Sequence, residues 1–553
     1  MSEHILLETG TFIHSAIQED LAGRLHEIHT RFPPEPGGHL HIGNAKAVYI
    51  NFELAKIYGG KCNLRMDDTN PSIEKAEFVQ AIQDGIRWLG YDWEDRLYFA
   101  SDYFEKFYEC AVELINKGLA FVCDMSAEEM RLSFGGIDKA GTESPYKGRS
   151  VEENLDLFRR MREGEFPDGA KTLRAKIDMA SPNMNMRDPV IYRISHRSHS
   201  NTGDKWCIYP MYDFAHPLED AIEGITHSLC SIEFEDHRPI YEWYINNLSF
   251  PVKPRQIEFA KMSVSNTVMG KRFIRARVAT GVLDGWDDPR LVTLLGMRRR
   301  GYPPAAIREF LGNTGVSKAL SKVDFAMLEH FVLKHLAPVS KVVMAVIDPL
   351  KIVIENYPED AVEMLDVAYH SENDGLGSRE LPFSREIYIE REDFMEEPAK
   401  KFFRLAPGRE VRLKGAYYIT CTDVVKDADG NITEVVCTYD PATKSGSGAE
   451  LRKVKGTLHW LSAKHAVPIE ARLYSTLVLD APDTEDGVVD NPDSLIVMAN
   501  ALGEPSLKDA EPEEVFQFMR QGYFCRDNRS GSESLVFNRT VELRSSFKPE
   551  RTS

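Results

Sequence analysis

The first hundred residues change hydrophobic period several times. Ile28, Thr30 and Phe32 form a short alternating stretch that runs into Pro33-Pro34 and then the Gly37-Gly38 pair. From His39 the period becomes helical, with Leu40, Ile42, Ala45, Val48 and Ile50 recurring at roughly helical spacing. The pattern predicts a strand over Ile28–Phe32, a helix to about Tyr58, a strand over Cys62–Met66 and a helix over Ala76–Leu89. Such alternation predicts a parallel sheet with right-handed crossovers. Ligands then bind beyond the carboxyl ends of the strands, where Pro33–Gly43 and Asp67–Asn70 fall. A helix over Asp102–Gly118 follows, and residues 124–205 are richer in charge and turn residues, as an insertion would be. The α/β pattern resumes at Trp206–Tyr212, and residues 270–335 read as mostly helical. Beyond about residue 339 short alternating strands are punctuated by turns such as Asp427–Asn431 and Asp440–Thr443, the pattern of small β-barrels.

A chain of 553 residues exceeds a single core and divides into roughly three to five domains. Its 42% hydrophobic and 10% aromatic content indicates a folded protein. No apolar run approaches the roughly 20 residues of a membrane span, and no basic stretch followed by an apolar run opens the chain. Neither a membrane partner nor a secretory signal is therefore expected. Eight cysteines without a CxxC pair argue against a zinc ribbon or a disulfide framework, so no structural metal and a reducing, cytoplasmic location are expected. The net charge of −19 (67 basic against 86 acidic residues) disfavours nonspecific nucleic-acid binding but leaves room for a basic face.

Chemistry concentrates at the first break. Strand, glycine turn and helix N-terminus together present backbone N–H groups and a positive dipole end to an anion. His39, His41 and Asn44 add side-chain donors at the same point. The full string from Arg31 to Ala47, RFPPEPGGHLHIGNAKA, resembles the HIGH signature of class I aminoacyl-tRNA synthetases in the form typical of the glutamine/glutamate subgroup, with Asn44 in place of the last histidine. The second signature of that class is a KMSKS-type loop. Lys261 to Ser265 matches it by letter but has Val264 at the lysine position, whereas Thr267 to Arg272 (TVMGKR) places Lys271 correctly ahead of Gly285–Arg290 (GWDDPR). The loop is therefore assigned to 268–272, with Gly270 where a serine is usual. Further matching strings include 63–71, 173–182, 206–214, 224–230 and 298–302, and, in the C-terminal part, 344–349, 454–456 and 516–525.

The resemblance implies a class I Rossmann-like catalytic domain (1–100 and 206–265), an inserted acceptor-stem-binding domain (101–205), a helical connector carrying the second signature (266–338) and two C-terminal antiparallel β-barrels for the anticodon (339–553). It implies catalytic roles for His41, Asn44 and Lys271, and contact with Mg-ATP from Glu35, Pro36, Gly37, His41, Ile42, Gly43, Asn44, Ala45, Lys46, Ala47, Ser231, Lys261, Met262, Met269, Gly270 and Lys271. Asp67 would pair with the α-ammonium of the amino acid, with Tyr212, His216, Cys230 and Gln256 forming the side-chain pocket. Glutamate-specific relatives carry an arginine where this chain has Cys230. A neutral pocket favours an amide, since an unpaired buried carboxylate costs several kcal/mol. The expected reaction is ATP-dependent attachment of glutamine to tRNA(Gln) through an adenylate. The alternatives are a barrel-bearing enzyme that charges glutamate and a catalytically silent tRNA-binding paralogue. On the tRNA side the implied contacts are Ile137, Asp236, Lys341, Arg404, Arg412, Gln517 and Arg520, with Val342 standing where the family has an arginine. A monomer is expected.

Overall fold

A computed structural model describes residues 10–23, 25–71, 76–447, 452–484, 487–531 and 534–547. The chain forms two compact units, the first from residues 1–263 with 311–323, the second from 264–310 with 324–553.

In the first unit, β1 (His29–Phe32), β2 (Lys61–Met66) and β3 (Leu97–Phe99) are parallel, with Phe32 opposite Leu64 and Met66 opposite Phe99. Two crossover helices, α2 (Ile42–Ile57) and α3 (Ala76–Trp88), connect them. Strands β8 (His227–Ser231) and β9 (Arg255–Phe259) are likewise parallel, and Thr226 N–H donates to His29 O at 2.9 Å on the free side of β1. The order is therefore β3-β2-β1-β8-β9. The chain winds one way from β1 and later resumes on its other side, so the crevice between β1 and β8 is a topological switch point. Gly60 permits the tight return from α2 into β2: a Cβ there would lie 1.9 Å from Ile28 O.

Between β3 and β8 the chain makes an antiparallel sheet of β4 (Ala120–Cys123), β5 (Thr172–Ala175), β6 (Val190–Ile194) and β7 (Ile208–Pro210), flanked by α4 (Phe104–Asn116) and α6 (Val151–Arg162). The inserted sheet thus runs to residue 210, past the expected 205, because Ile208 and Pro210 pair with Ile194 and Tyr192. Its core is also shared: Phe104, Phe158 and Trp206 join Phe214 and Leu218 of helix α7 (Tyr212–Ile222) and Tyr244 of α8 (Arg238–Asn247) in one buried cluster.

The second unit opens with the helix Lys271–Ala279 and contains two seven-stranded sheets. In one, 341–343 and 345–346 form the two ends and 467–474, 495–503, 515–518, 522–526 and 536–541 lie between them. In the other, 457–458 and 461–462 are the ends. Each sheet thus begins and ends on strands nearly adjacent in sequence, as a barrel-like closure requires. Most pairings are antiparallel, but each sheet contains two parallel ones, such as Lys341–Val343 with Phe516–Phe518 and Lys351–Ile354 with Glu434–Cys437. The chain starts one barrel, completes the other over 349–462, and returns to finish the first. Gly60→Ala is expected to lower stability by about 1–3 kcal/mol through forced separation of β1 and β2, measured as a reduced urea midpoint.

Candidate active site

At the end of β1 the chain passes through Pro33–Leu40 to the N-terminus of α2. His41 is the N-cap, and its Nδ1 accepts from the backbone N–H groups of Gly43 (3.1 Å) and Asn44 (3.3 Å), while His41 N–H donates to Asn44 Oδ1 at 3.1 Å. This is a reciprocal capping box. It fixes two chemical states. An Nδ1 that accepts leaves the proton on Nε2, and an Asn44 whose Oδ1 is engaged presents its NH₂ outward. The departure at residue 44 therefore has a structural role at the N3 position as well as a donor. Gly43, Asn44 and Ala47 are half-buried, Pro36, Ile42, Ala45 and Lys46 are buried, and Glu35 is exposed. Burial holds the Lys46 ammonium below its usual range.

Asp67 and Asp68 follow β2 and divide their work. Asp68 is buried and accepts from Ser101 N–H (2.8 Å), Ser101 Oγ–H (2.6 Å) and Asn201 Nδ2–H (2.7 Å), which makes it structural. Asp67 accepts from Thr69 Oγ at 3.1 Å, and burial raises its carboxyl above the usual range, against the pull of Arg65. A partner ammonium would reverse that shift, as the expected α-ammonium contact requires.

Beyond β8 lies a cleft lined by Tyr212, His216, Phe234, Tyr241 and Gln256, among others. Tyr212 stacks on His216 with ring centroids 5.0 Å apart. The Gln256 Nε2 amide donates to Phe234 O (3.1 Å) and Glu258 Oε1 (3.0 Å), so Oε1 is the acceptor the side chain retains. Glu258 is itself held by a two-pronged Arg238 contact at 2.9 Å. Cys230 stands on β8 with its thiol 4.0 Å from Ile257 O, and burial pushes it up to about 12, so it is neutral. It does not line this cleft.

The residue that sequence reasoning missed is Arg31, fully buried. Its guanidinium donates to Asp220 Oδ1 (2.9 Å), Leu229 O (2.9 Å), Ser228 Oγ (2.7 Å) and His216 Nε2 (2.8 Å). Arg65, also fully buried, meets Asp220, Glu219 and Glu223 at 2.7–3.1 Å. Burial opposes ionisation of Asp220, but Arg31, His216 and Arg65 hold it well below the usual carboxylate range. Both guanidinium groups are thus compensated by buried carboxylates behind the cleft. Arg31 also dictates the imidazole tautomer of His216: Nε2 accepts, so Nδ1 carries the proton, and that buried N–H has no partner among the described residues. Burial, reinforced by the two arginines, lowers His216 to about 3.

Of the other expected ATP contacts, Ser231 Oγ is buried at the end of β8 without a hydrogen-bond partner among the described residues, Lys261 is exposed and paired with Glu233, and Met262 is buried. In the second unit, Asn266 (φ 54°) exchanges two hydrogen bonds with Asp480 (2.9 and 3.1 Å), and Val268 and Phe273 pack against Leu477 and Val478. Met269 is half-buried, Gly270 is the N-cap of the helix and Lys271 its first, exposed residue. A serine at 270 would cap that helix, whereas glycine supplies no side-chain acceptor.

The candidate tRNA residues are spread over both units. Ile137 is 86% exposed at a loop tip. Beneath it, buried Arg187 donates to Phe134 O, Gly136 O, Lys139 O and Ser181 O at 2.7–3.1 Å. Asp236 is exposed, and its carbonyl accepts from Asn183 and Asn185. Lys341 pairs with Glu514, Arg404 pairs with Glu392 and Asp393, and Gln517 accepts from Tyr523. Arg412 reaches Ser445, and Arg520 makes a two-pronged contact with buried Asp393 at 2.7 Å.

The chain belongs to the glutamate/glutamine group of class I tRNA synthetases. A family described as tRNA synthetases class I (E and Q), catalytic domain, matches residues 27–338, and two anticodon-binding-domain families of the same group match 342–440 and 457–527. The chain is similar to a glutamine–tRNA ligase of Clostridium perfringens, with 55% identity over 98% of this chain and 99% of that protein. It is also similar to those of Clostridium kluyveri (55%, 98% of each chain) and Clostridioides difficile (54%, 98% and 99%).

Asp220→Asn is expected to destabilise the first unit by about 3–5 kcal/mol, because two buried guanidinium groups lose a shared counter-charge. Urea unfolding checks it. His216 contributes stability that is complete above its unfolded pKa of 6.5 and is lost as pH falls toward about 3, at up to ~1.4 kcal/mol per pH unit. His216→Gln should flatten that dependence when urea midpoints at pH 7 and pH 5 are compared.

Proposed function

We propose that the protein attaches glutamine to tRNA(Gln) in two steps. A carboxylate oxygen of glutamine attacks the α-phosphorus of Mg-ATP, the bond to the bridging oxygen breaks, and pyrophosphate leaves. The terminal ribose 2′-hydroxyl of the tRNA then attacks the adenylate carbonyl, and AMP leaves. Neither step needs a side-chain nucleophile, so the protein contributes position and stabilisation of negative charge. His41 Nε2–H, the Asn44 NH₂ and the N-terminus of α2 are assigned to the phosphates. Lys271 is assigned the charge on pyrophosphate, and Asp67 the substrate α-ammonium.

The observation that carries the amino-acid choice is the hydrogen-bond state of the cleft. Gln256 has committed its N–H groups and keeps an acceptor, His216 keeps one N–H donor, and Tyr212 adds a hydroxyl. An amide side chain offers both the matching acceptor and the matching N–H donor. A carboxylate has no N–H for Gln256 and would face Oε1 with like-signed charge, and such mismatches in polar pockets discriminate strongly. Exposed Asp236, Ile137 and the barrel residues Lys341, Arg404, Arg412, Gln517 and Arg520 are assigned to the tRNA. Free thiols at all eight cysteines are compatible with a cytoplasmic monomer.

Charging of tRNA(Gln) transcripts with labelled amino acid tests the reading: glutamine should be incorporated and glutamate should not. Glutamate charging alone would overturn the specificity, and no charging with either would favour a silent tRNA-binding protein. Asn44→Ala, which removes both a cap and a donor, should slow ATP–pyrophosphate exchange by roughly 10²-fold. Asn44→His should stay within about tenfold of the parent, and a larger loss would mean that the site depends on the amide.

A further inference from the structure

In the barrel completed over residues 349–462, Cys421 and Cys437 are direct partners on the antiparallel strands Tyr418–Lys426 and Ile432–Asp440. Their backbone directions can be read from other bonds. Gly408 N–H donates to Cys421 O at 2.9 Å and Glu355 N–H to Cys437 O at 2.9 Å, both from strands or loops on the outer sides of the pair. In an antiparallel strand the N–H and C=O of one residue point the same way. The two cysteines therefore form a non-hydrogen-bonded pair, the type in which Cα atoms approach to about 4.5 Å and side chains lie closest. That separation falls inside the window a disulfide spans. Both side chains also face the same interior, since both belong to the buried cluster around Trp460 and Ile387. A bulge at Thr422 follows Cys421 directly and interrupts the ladder beside it.

We propose that Cys421 and Cys437 are a modification site: a cross-strand dithiol that hydrogen peroxide converts to a reversible disulfide. The Cys421 sulfur attacks a peroxide oxygen, the O–O bond breaks, and sulfenic acid and water form. The Cys437 sulfur then attacks the Cys421 sulfur, the S–S bond forms, the S–O bond breaks, and a second water leaves with the Cys437 proton. Two thiols are oxidised by two electrons in total and one peroxide is reduced to two waters. The Cys421 S–H donates to Asp423 O at 3.7 Å beside the bulge, and neighbouring Cys437 holds that thiol below its usual range, against burial, whereas burial pushes Cys62, Cys110, Cys207, Cys230 and Cys525 upward. The pair sits next to the strand Glu410–Leu413, where Arg412 lies opposite Tyr418, so the cross-link falls within the barrel that carries the candidate tRNA contacts Arg404 and Arg412.

The test uses the full chain, treated with hydrogen peroxide in native buffer, then denatured, alkylated and digested for peptide mass mapping. The expected result is one linked peptide joining Cys421 to Cys437, lighter by two hydrogens and lost on treatment with dithiothreitol, with Cys62 and Cys525 still alkylated. Cys437→Ser should abolish the linked peptide without creating another. Full alkylation of both residues, linkage of either to a third cysteine, irreversible sulfinic acid at Cys421, or linkage only after unfolding in urea would each overturn the proposal.

Discussion

The buried pairing of Arg31 and Arg65 with Asp220 ties the first unit together. Arg31 projects from β1, Arg65 from β2, Asp220 from α7, and Ser228 and Leu229 from β8 complete the contacts. Two strands, a helix and the strand across the switch point thus meet at one carboxylate. Fully buried charges are expensive to desolvate, and their attraction offsets that cost only when geometry and remaining hydrogen bonds are satisfied. Here Asp220 accepts from both guanidinium groups, from Ser228 Oγ and from Tyr241 Oη, the last two at 2.7 and 2.9 Å. A network with so many fixed directions specifies one arrangement of its elements more sharply than apolar packing would.

That specificity passes directly to the candidate pocket. Because Arg31 donates to His216 Nε2, the imidazole must present N–H at Nδ1. Because Glu258 and the Phe234 carbonyl hold the Gln256 amide, its oxygen is the group left to bind. Donor and acceptor identities at the amino-acid end are thus set by residues that need not touch the ligand. The phosphate end follows the same logic: His41 and Asn44 bond each other at the start of α2, which fixes the tautomer of one and the amide orientation of the other. Both ends present preorganised neutral hydrogen-bonding groups whose states are fixed by second partners.

The hydrophobic period made the α/β alternation, the β1 and β2 strands and the small-barrel texture legible, since these depend on local burial pattern. The glycine turn and helix start were legible because proline, glycine and period change coincide there. Arg31 was not legible as a pocket residue. It belongs to an alternating strand stretch, and its partners lie 185 to 198 residues away. Asp67 was picked over Asp68 by the family resemblance alone; the residue pattern could not separate them, because Ser101 and Asn201, which claim Asp68, are 33 and 133 positions distant. The end of the insertion was missed because β7 is three residues long and reads equally well as the start of the next α/β segment.

The same distinction governs the candidate tRNA residues. An arginine in a sequence carries one positive charge wherever it stands, but its partners decide what that charge can do. Arg520 and Arg404 share Asp393, which is buried, so the two guanidinium groups cannot both leave without stranding a desolvated carboxylate. Their remaining N–H groups are held in fixed directions, and that suits readout of a base edge better than a mobile phosphate contact. Ile137 shows the complementary case. An apolar side chain that is 86% exposed gains nothing from solvent, yet four carbonyl contacts of a buried arginine fix the loop beneath it. Holding an exposed aliphatic group rigid lowers the ordering cost of whatever surface it meets.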